Sequence, residues 1–287
     1  MDIHTQRDRA ETFRRSHTDL TDGPLVLANA WDCASTILYE EAGFDAVGTS
    51  SAAVAATHGV PDGEVVSRDE MLAVVRRIAR SVSIPVSADI EAGYGDSPDA
   101  VAETVRRTIA AGAVGVNLED GVDGSAGPLV ETDSHVAVIR AARAVADDAD
   151  VPLVINGRTD VFWRSVGAAS DRVERAAERA NAYADAGSDC VFVPGVTDLS
   201  LIEALVDALD APLNVLAGPG SPPVAELAAA GVARVSVGSA PMRATLSVLR
   251  DIADELRTEG TYHRMNNAIP YGEVNELLAT SAGRTDD

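Results

Sequence analysis

S-A-D-I-E-A-G-Y-G, residues Ser87 to Gly95, follows the apolar run Ile84-Pro85-Val86 and reads as the end of a buried strand. Asp89 and Glu91 place two acids at that end, and Gly93 and Gly95 supply the turn that leaves it. Residues i and i+2 of a strand point to one side, so the two carboxylates converge if the strand runs that far. Carboxylates crowded in an apolar setting repel unless a cation or a shared proton relieves them. Hard divalent ions such as magnesium take one or two carboxylates plus waters. The design recurs downstream, where Val116-Asn117-Leu118-Glu119-Asp120 is another apolar run that ends in acids before a glycine.

Working outward from these two stretches, strand-like runs appear at Leu25–Leu27, Ala46–Gly48, Pro85–Val86, Val114–Val116, Leu153–Ile155, Cys190–Val193, Leu213–Leu216 and Val235–Val237. Between them lie segments with helical spacing, such as Val74, Val75, Ile78 and Val82, or Val101, Val105, Ile109 and Ala113. Several end in glycine (Gly43, Gly112, Gly187, Gly231), the usual helix stop. Eight strand-then-helix units in 287 residues predict a (β/α)8 TIM-type barrel. A doubly wound sheet would carry a glycine fingerprint after its first strand; Ala28-Asn29-Ala30-Trp31-Asp32 stands there instead. A charged helix from Gln6 to about His17 precedes the barrel. An extra turn and helix, Tyr262 to Leu278, follows it. No linker divides the chain, so one domain is expected over residues 1–287, with a core at about 24–258 and an extension at 259–287.

Composition removes several functions. The net charge is −22, and all 23 basic residues are arginine. Without a lysine there is no Schiff-base aldolase chemistry and no pyridoxal phosphate anchor. So negative a field argues against nucleic acid as a partner. An acid-rich, lysine-free surface resembles proteins of salt-loving microbes and predicts instability at low salt. Cys33 and Cys190 give neither a disulfide framework nor metal-ligand spacing, which fits a reduced cytoplasm. The polar N-terminus does not read as a signal peptide, and no apolar run reaches the ~18 residues of a membrane helix.

Barrel chemistry gathers at the C-terminal strand ends. Those ends supply Thr49, Ser50 and Ser51; Asp89 and Glu91; Asn117, Glu119 and Asp120; Asn156, Arg158 and Asp160; and Asn214. Polar side chains there cost free energy unless paired or bound to a ligand. Acids facing Arg158 suit a metal with an anionic substrate, since guanidinium grips carboxylate in bidentate fashion; the plain alternative is an ion pair with the same acids. Asp62 lies on a connection of about 15 residues before the N-cap Ser67, a length that is often functional. Gly121 to Val130 is glycine-rich and reads either as a lid or as a surface loop. His58 is a candidate acid or base. Cys33, at a helix start, reads better as a small buried residue than as a nucleophile, and Cys190 belongs at the opposite barrel end.

D-I-E-A-G-Y-G, N-L-E-D, N-G-R-T-D, N-A-W-D and G-T-S-S-A-A-V-A-A-T-H-G-V-P-D-G, in this order from about Pro24 to Leu256, resemble the phosphoenolpyruvate mutase/isocitrate lyase superfamily. The resemblance implies a magnesium-dependent barrel (manganese being the alternative ion) that acts on small 2-oxo or 2-hydroxy acids through a pyruvate-type enolate. It implies that Asp89, Glu91 and Glu119 surround the metal, some through water, and that Asp62 is a further acidic site residue. Thr49 with the backbone N–H groups of Ser50 and Ser51 would hold the substrate carboxylate. Arg158 would stabilise the oxyanion, and Asn214 would bind substrate. Three departures stand out. The Gly121–Val130 segment has neither the lyases' lid cysteine nor the mutases' lid lysine. Glu91 replaces an aspartate, and Pro194-Gly195 replaces polar residues. The expected activity is a carbon–carbon lyase in a homo-oligomer. The alternatives are P–C bond chemistry, oxaloacetate hydrolysis, or a silent binding protein. Candidate proton donors are a bound water, Tyr94 and Ser125.

Overall fold

The apolar runs become strands whose outer faces meet helices and whose inner faces meet one another. In the computed structural model, which describes residues 2–122 and 128–282, they are β1 (Leu25–Ala30), β2 (Val47–Thr49), β3 (Val86–Asp89), β4 (Gly115–Glu119), β5 (Val154–Arg158), β6 (Cys190–Phe192), β7 (Leu213–Leu216) and β8 (Arg234–Ser236). All pair in parallel, each with the next and β8 with β1, closing a barrel as the sequence predicts.

Helices α1 (Ile3–Arg15), α2 (Cys33–Glu41), α3 (Ser51–Thr57), α4 (Arg68–Ser81), α5 (Pro98–Ala111), α6 (Thr132–Asp148), α7 (Arg172–Asp185), α8 (Leu199–Ala208), α9 (Val224–Ala229), α10 (Ala240–Thr258) and α11 (Tyr271–Ala282) accompany it. Local chemistry sets their bounds. Ser67 and Glu70 form the capping box that starts α4, satisfying two backbone donors reciprocally. Helix α5 begins Ser97-Pro98 and stops at Gly112, whose φ of +101° few other residues adopt. Val101, Val105 and Ile109 then form its buried stripe against β3, β4 and α6; truncating one such residue to alanine costs about 2–5 kcal/mol. One expectation needs correction. The connection after β2 is no 15-residue loop, because Ser50 caps Ala-rich α3 within it, leaving Gly59 to Val66 as the loop that carries Asp62.

The barrel interior departs from the branched apolar filling usual in this fold. Asn29, Ser87, Asn117, Asn156, Asn214, Arg234 and Ser236 are all buried and line one central cavity. Helix α1 closes the opposite end. Gln6 Nε2 donates to the Ile109 and Ala113 carbonyls at 2.8 and 3.0 Å, and Phe13 inserts beneath β4. A Cβ on Gly115 would meet the Phe13 ring. Helix α10 buries only Met242 and Glu255 and exposes Leu246, Val248 and Leu249. Leu277 and Leu278 of α11 pack on the cluster of Ile37, Ile78 and Val86.

Candidate active site

Strand register brings the strand-end residues together. Asp89 pairs with Asn117, Asn117 with Asn156, and Glu119 with Arg158. Hydrogen bonds follow that register. Asn117 Nδ2 donates to Asp89 Oδ1 at 3.0 Å, and Asn156 Nδ2 donates to Asn117 Oδ1 at 3.2 Å. Arg158 Nη1 lies 2.5 Å from Glu119 Oε2 and its Nε 2.6 Å from Asp160 Oδ1, while its Cζ sits 5.6 Å from the Phe192 ring centroid. Asp62, Asp89, Arg158, Thr49, Ser50, Ser51 and Asn214 line a single cavity of about 130 Å³.

Glu91 arrives differently from the expectation. Strand β3 ends at Asp89, and Glu91 has φ +52°, so strand alternation does not aim its carboxylate. It turns instead to accept from the Gly63 and Glu64 N–H groups at 3.1 and 2.6 Å and from the Tyr94 hydroxyl at 2.9 Å. Glu91 and Glu119 face the adjoining cleft rather than the cavity. Among the described residues, no three His, Cys, Asp or Glu side chains already stand as a metal shell. Electrostatics nonetheless couple the acids. Burial, then repulsion from Asp89 and Asp62, lifts Glu91 to about 7. Burial lifts Glu119 well above the carboxylate range, with Arg158 opposing and Asp89, Asp160 and Glu91 adding to it. Partial burial and Asp89 raise Asp62, at the cavity rim. Burial works against the charge on Arg158, yet Glu119 and Asp160 hold it protonated above its usual range. Carboxylates that raise one another's pKa, with Asp89 the best placed at the cavity, fit a hard divalent cation that keeps several waters.

The predicted carboxylate cradle also needs correction. The Ser50 N–H donates to the Ala30 carbonyl, in the run of the barrel ladder, and the Ser51 N–H donates to Asp89 Oδ2 at 2.9 Å. Thr49 Oγ1 accepts from the Asp89 N–H at 2.8 Å. Thr49 and Ser51 thus fix Asp89 and the Ser50 N–H belongs to the ladder, while the Thr49 hydroxyl, on the cavity lining, keeps its own proton to donate. Tyr94 is engaged with Glu91 and lies off the cavity lining, which removes it as a proton donor there. Ser125 lies outside the described residues, as does the middle of Gly121–Val130. The His58 Nδ1 contacts the Val54 carbonyl at the end of α3, and His58 is no part of the cavity.

Asp120 turns away from the site. Fully buried, it accepts from the Asp160 N–H at 2.8 Å, Arg179 Nε at 2.8 Å and the Tyr183 hydroxyl at 2.7 Å. It anchors the segment that carries Asp160. Asp120→Ala is expected to cost about 3–5 kcal/mol, because it strands the buried Arg179 and Tyr183 groups; denaturant melts that move by under ~1 kcal/mol would show the network to be dispensable.

Sequence reasoning missed two contributors. Asn29 donates from Nδ2 to the Thr49 carbonyl and accepts from the Val237 and Gly238 N–H groups, tying β8 to β2 through β1. A Cβ on Gly48 would lie 2.9 Å from Asn29 Nδ2, which explains that glycine. Asn29 was legible only as part of N-A-W-D. Arg234 gives no such signal in the sequence, because a charge just before an apolar strand normally faces solvent.

The sequence model described as phosphoenolpyruvate phosphomutase matches residues 13–257. The chain is 30% identical to the 2-methylisocitrate lyase of Escherichia coli over 272 residues, covering 91% of this chain and 88% of that one. It is 33% identical to oxaloacetate decarboxylase 2 of Pseudomonas fluorescens over 271 residues, covering 87% and 89%. The crystal structure of a phosphonopyruvate hydrolase complex with oxalate and Mg2+ superimposes with a TM-score of 0.82 at 27% identity, covering 96% and 97%. Matched along the length of its barrel, the chain belongs to the phosphoenolpyruvate phosphomutase family and is an enzyme of the phosphoenolpyruvate mutase/isocitrate lyase superfamily.

Proposed function

We propose that this enzyme is a magnesium-dependent lyase that cleaves a carbon–carbon bond in a small 2-oxo or 2-hydroxy acid through a pyruvate-type enolate. The observation that carries the reading is the crowding of Asp62, Asp89, Glu91 and Glu119, each of the last two and Asp62 pushed upward in pKa, around one arginine. Asp89 would hold the ion, with Glu91 and Glu119 acting through water. Bound there, magnesium supplies Lewis-acid polarisation of a substrate oxygen. Arg158 uses three of its five N–H groups on Glu119 and Asp160, leaving two to stabilise an oxyanion. Asp62, raised at the rim, holds or moves the proton, and Asn214 orients substrate. Relatives named for 2-methylisocitrate and oxaloacetate support this class of substrate.

A panel of oxaloacetate, 2-methylisocitrate and phosphonopyruvate, followed by NMR in magnesium and molar salt, tests it. Two carbon fragments from one of the first two are expected. Turnover of phosphonopyruvate alone would replace this reading with P–C chemistry.

The same reading places the enzyme in a salty interior. Self-repulsion of the −22 charge is screened by ions, so the melting temperature is expected to rise by on the order of 10 °C between low and molar salt. Superimposable melts would remove the halophilic assignment. The apolar residues exposed on α10, Leu246, Val248 and Leu249, are the face we assign to homo-oligomerisation. Sedimentation at the mass of a monomer in molar salt would contradict it.

A further inference from the structure

Arg234 opens β8 and lines the cavity, 3% exposed, with its guanidinium turned toward helix α1 and the residues after it, which close the floor. Its guanidinium lies 5.8 Å from the Phe13 ring centroid, and Nη1 lies 3.4 Å from His17 Nε2. His17 Nδ1 contacts the Phe13 carbonyl at 2.7 Å. A carbonyl only accepts, so Nδ1 carries the proton and Nε2 offers a lone pair. Burial holds His17 at about 3 and lifts the Cys190 thiol to about 12, so neither neighbour brings a negative charge. Among the described residues, Arg234 Nε is buried without a partner. Burial lowers its pKa only to about 10, which leaves it cationic at neutral pH.

A buried cation with no ion-pair partner is costly, and Asp89, also on the cavity wall, is the one carboxylate whose charge reaches it. Arg158 does not reach the floor, because Glu119 and Asp160 hold that guanidinium at the mouth. Among the described residues, Asn214 Nδ2 and Asn156 Oδ1 on the cavity wall are also buried without partners. Asn214 is the register partner of Arg234. The Asn156 amide is oriented through Asn117 by Asp89, which can only accept when ionised, so its free atom is an acceptor.

We infer that Arg234 and Asn214 form a second anion subsite at the cavity floor, which takes the distal carboxylate of a short dicarboxylic acid. The inference rests on the mouth being a site for 2-oxo or 2-hydroxy acids, and it names Arg234 as the residue that selects those with a second carboxylate. Asn156 Oδ1 accepts from a hydroxyl or water beside that carboxylate.

Calorimetry in magnesium and molar salt, with malate and 2-hydroxybutyrate as probes of equal chain length, tests it. The unaltered enzyme should bind malate at least about tenfold more tightly, the worth of one charge-assisted hydrogen bond. Arg234→Gln should remove that preference while leaving 2-hydroxybutyrate within about twofold, and Arg234→Lys should keep part of it. Equal losses for both acids, or a preference that survives in Arg234→Gln, would overturn the subsite while leaving the proposed function standing. Equal affinity in the unaltered enzyme would overturn it too, whether or not the Gln variant folds, as would complete loss of the preference in a folded Lys variant. An enzyme that binds neither acid overturns the proposed function, and the subsite with it.

Discussion

Arg158→Ala is expected to lower turnover by about 10²–10³, the worth of one donor aimed at developing negative charge. Its geometry supports a loss of that size. Glu119 and Asp160 clamp the guanidinium from two sides, and Phe192 supports its face. Side-chain freedom is already spent before substrate arrives, so the remaining N–H groups act without reorganisation. The same substitution leaves the fully buried Asp160 without this partner, so about 3–5 kcal/mol of stability should go as well. Arg158→Lys separates the two effects. It keeps a charge but not the planar fork, so stability should recover further than rate. Cys33→Ala is the control. Burial raises the Cys33 thiol, Ser81 hydrogen-bonds it, and it stands off the cavity, so its removal should leave activity nearly intact. A collapse in Cys33→Ala with Arg158→Ala unharmed would relocate the chemistry.

Asp89→Ala should abolish measurable magnesium binding. Asp89 is the carboxylate that Ser51 and Asn117 fix in the cavity, and the neighbouring acids respond to its charge. The binding should also depend on pH in a stated direction. Folding raises Glu91 from 4.5 to about 7. The metal-free folded protein therefore binds more protons than the unfolded chain between those values, and its stability falls as pH rises through them. Magnesium favours the ionised carboxylates, so its affinity should increase across the same window, with proton release. Calorimetry that finds equal magnesium binding in the variant, or affinity that weakens from pH 5 to pH 7, would break the assignment.

Much of this was readable in the chain because two periodicities carried it. Apolar runs of strand length alternating with 3.6-residue stripes fixed the barrel, and the barrel fixed where Asp89, Glu119 and Arg158 must meet. What escaped was conformational. Nothing in D-I-E-A-G-Y-G announces that the strand stops at Asp89 and that Glu91 takes a left-handed backbone, which swings its carboxylate toward Gly63 and Glu64. Ser50 and Ser51 looked like free donors because a sequence does not show which N–H groups the barrel ladder and Asp89 consume. Asp120 sits beside Glu119 in the chain but on the other face of the strand end, so spacing alone grouped a structural anchor with the site. Arg234 was hidden for the opposite reason, since a long polar side chain inside a barrel is rare enough to be read as surface.

The most direct measurement is turnover of oxaloacetate and 2-methylisocitrate by one chelator-treated preparation in molar salt, before and after magnesium is restored. Carbon–carbon cleavage that is absent without the ion, returns with it, and does not return in Asp89→Ala is the predicted result. Cleavage that proceeds equally with and without magnesium, or that survives in Asp89→Ala, would contradict a metal-assisted lyase at this barrel mouth.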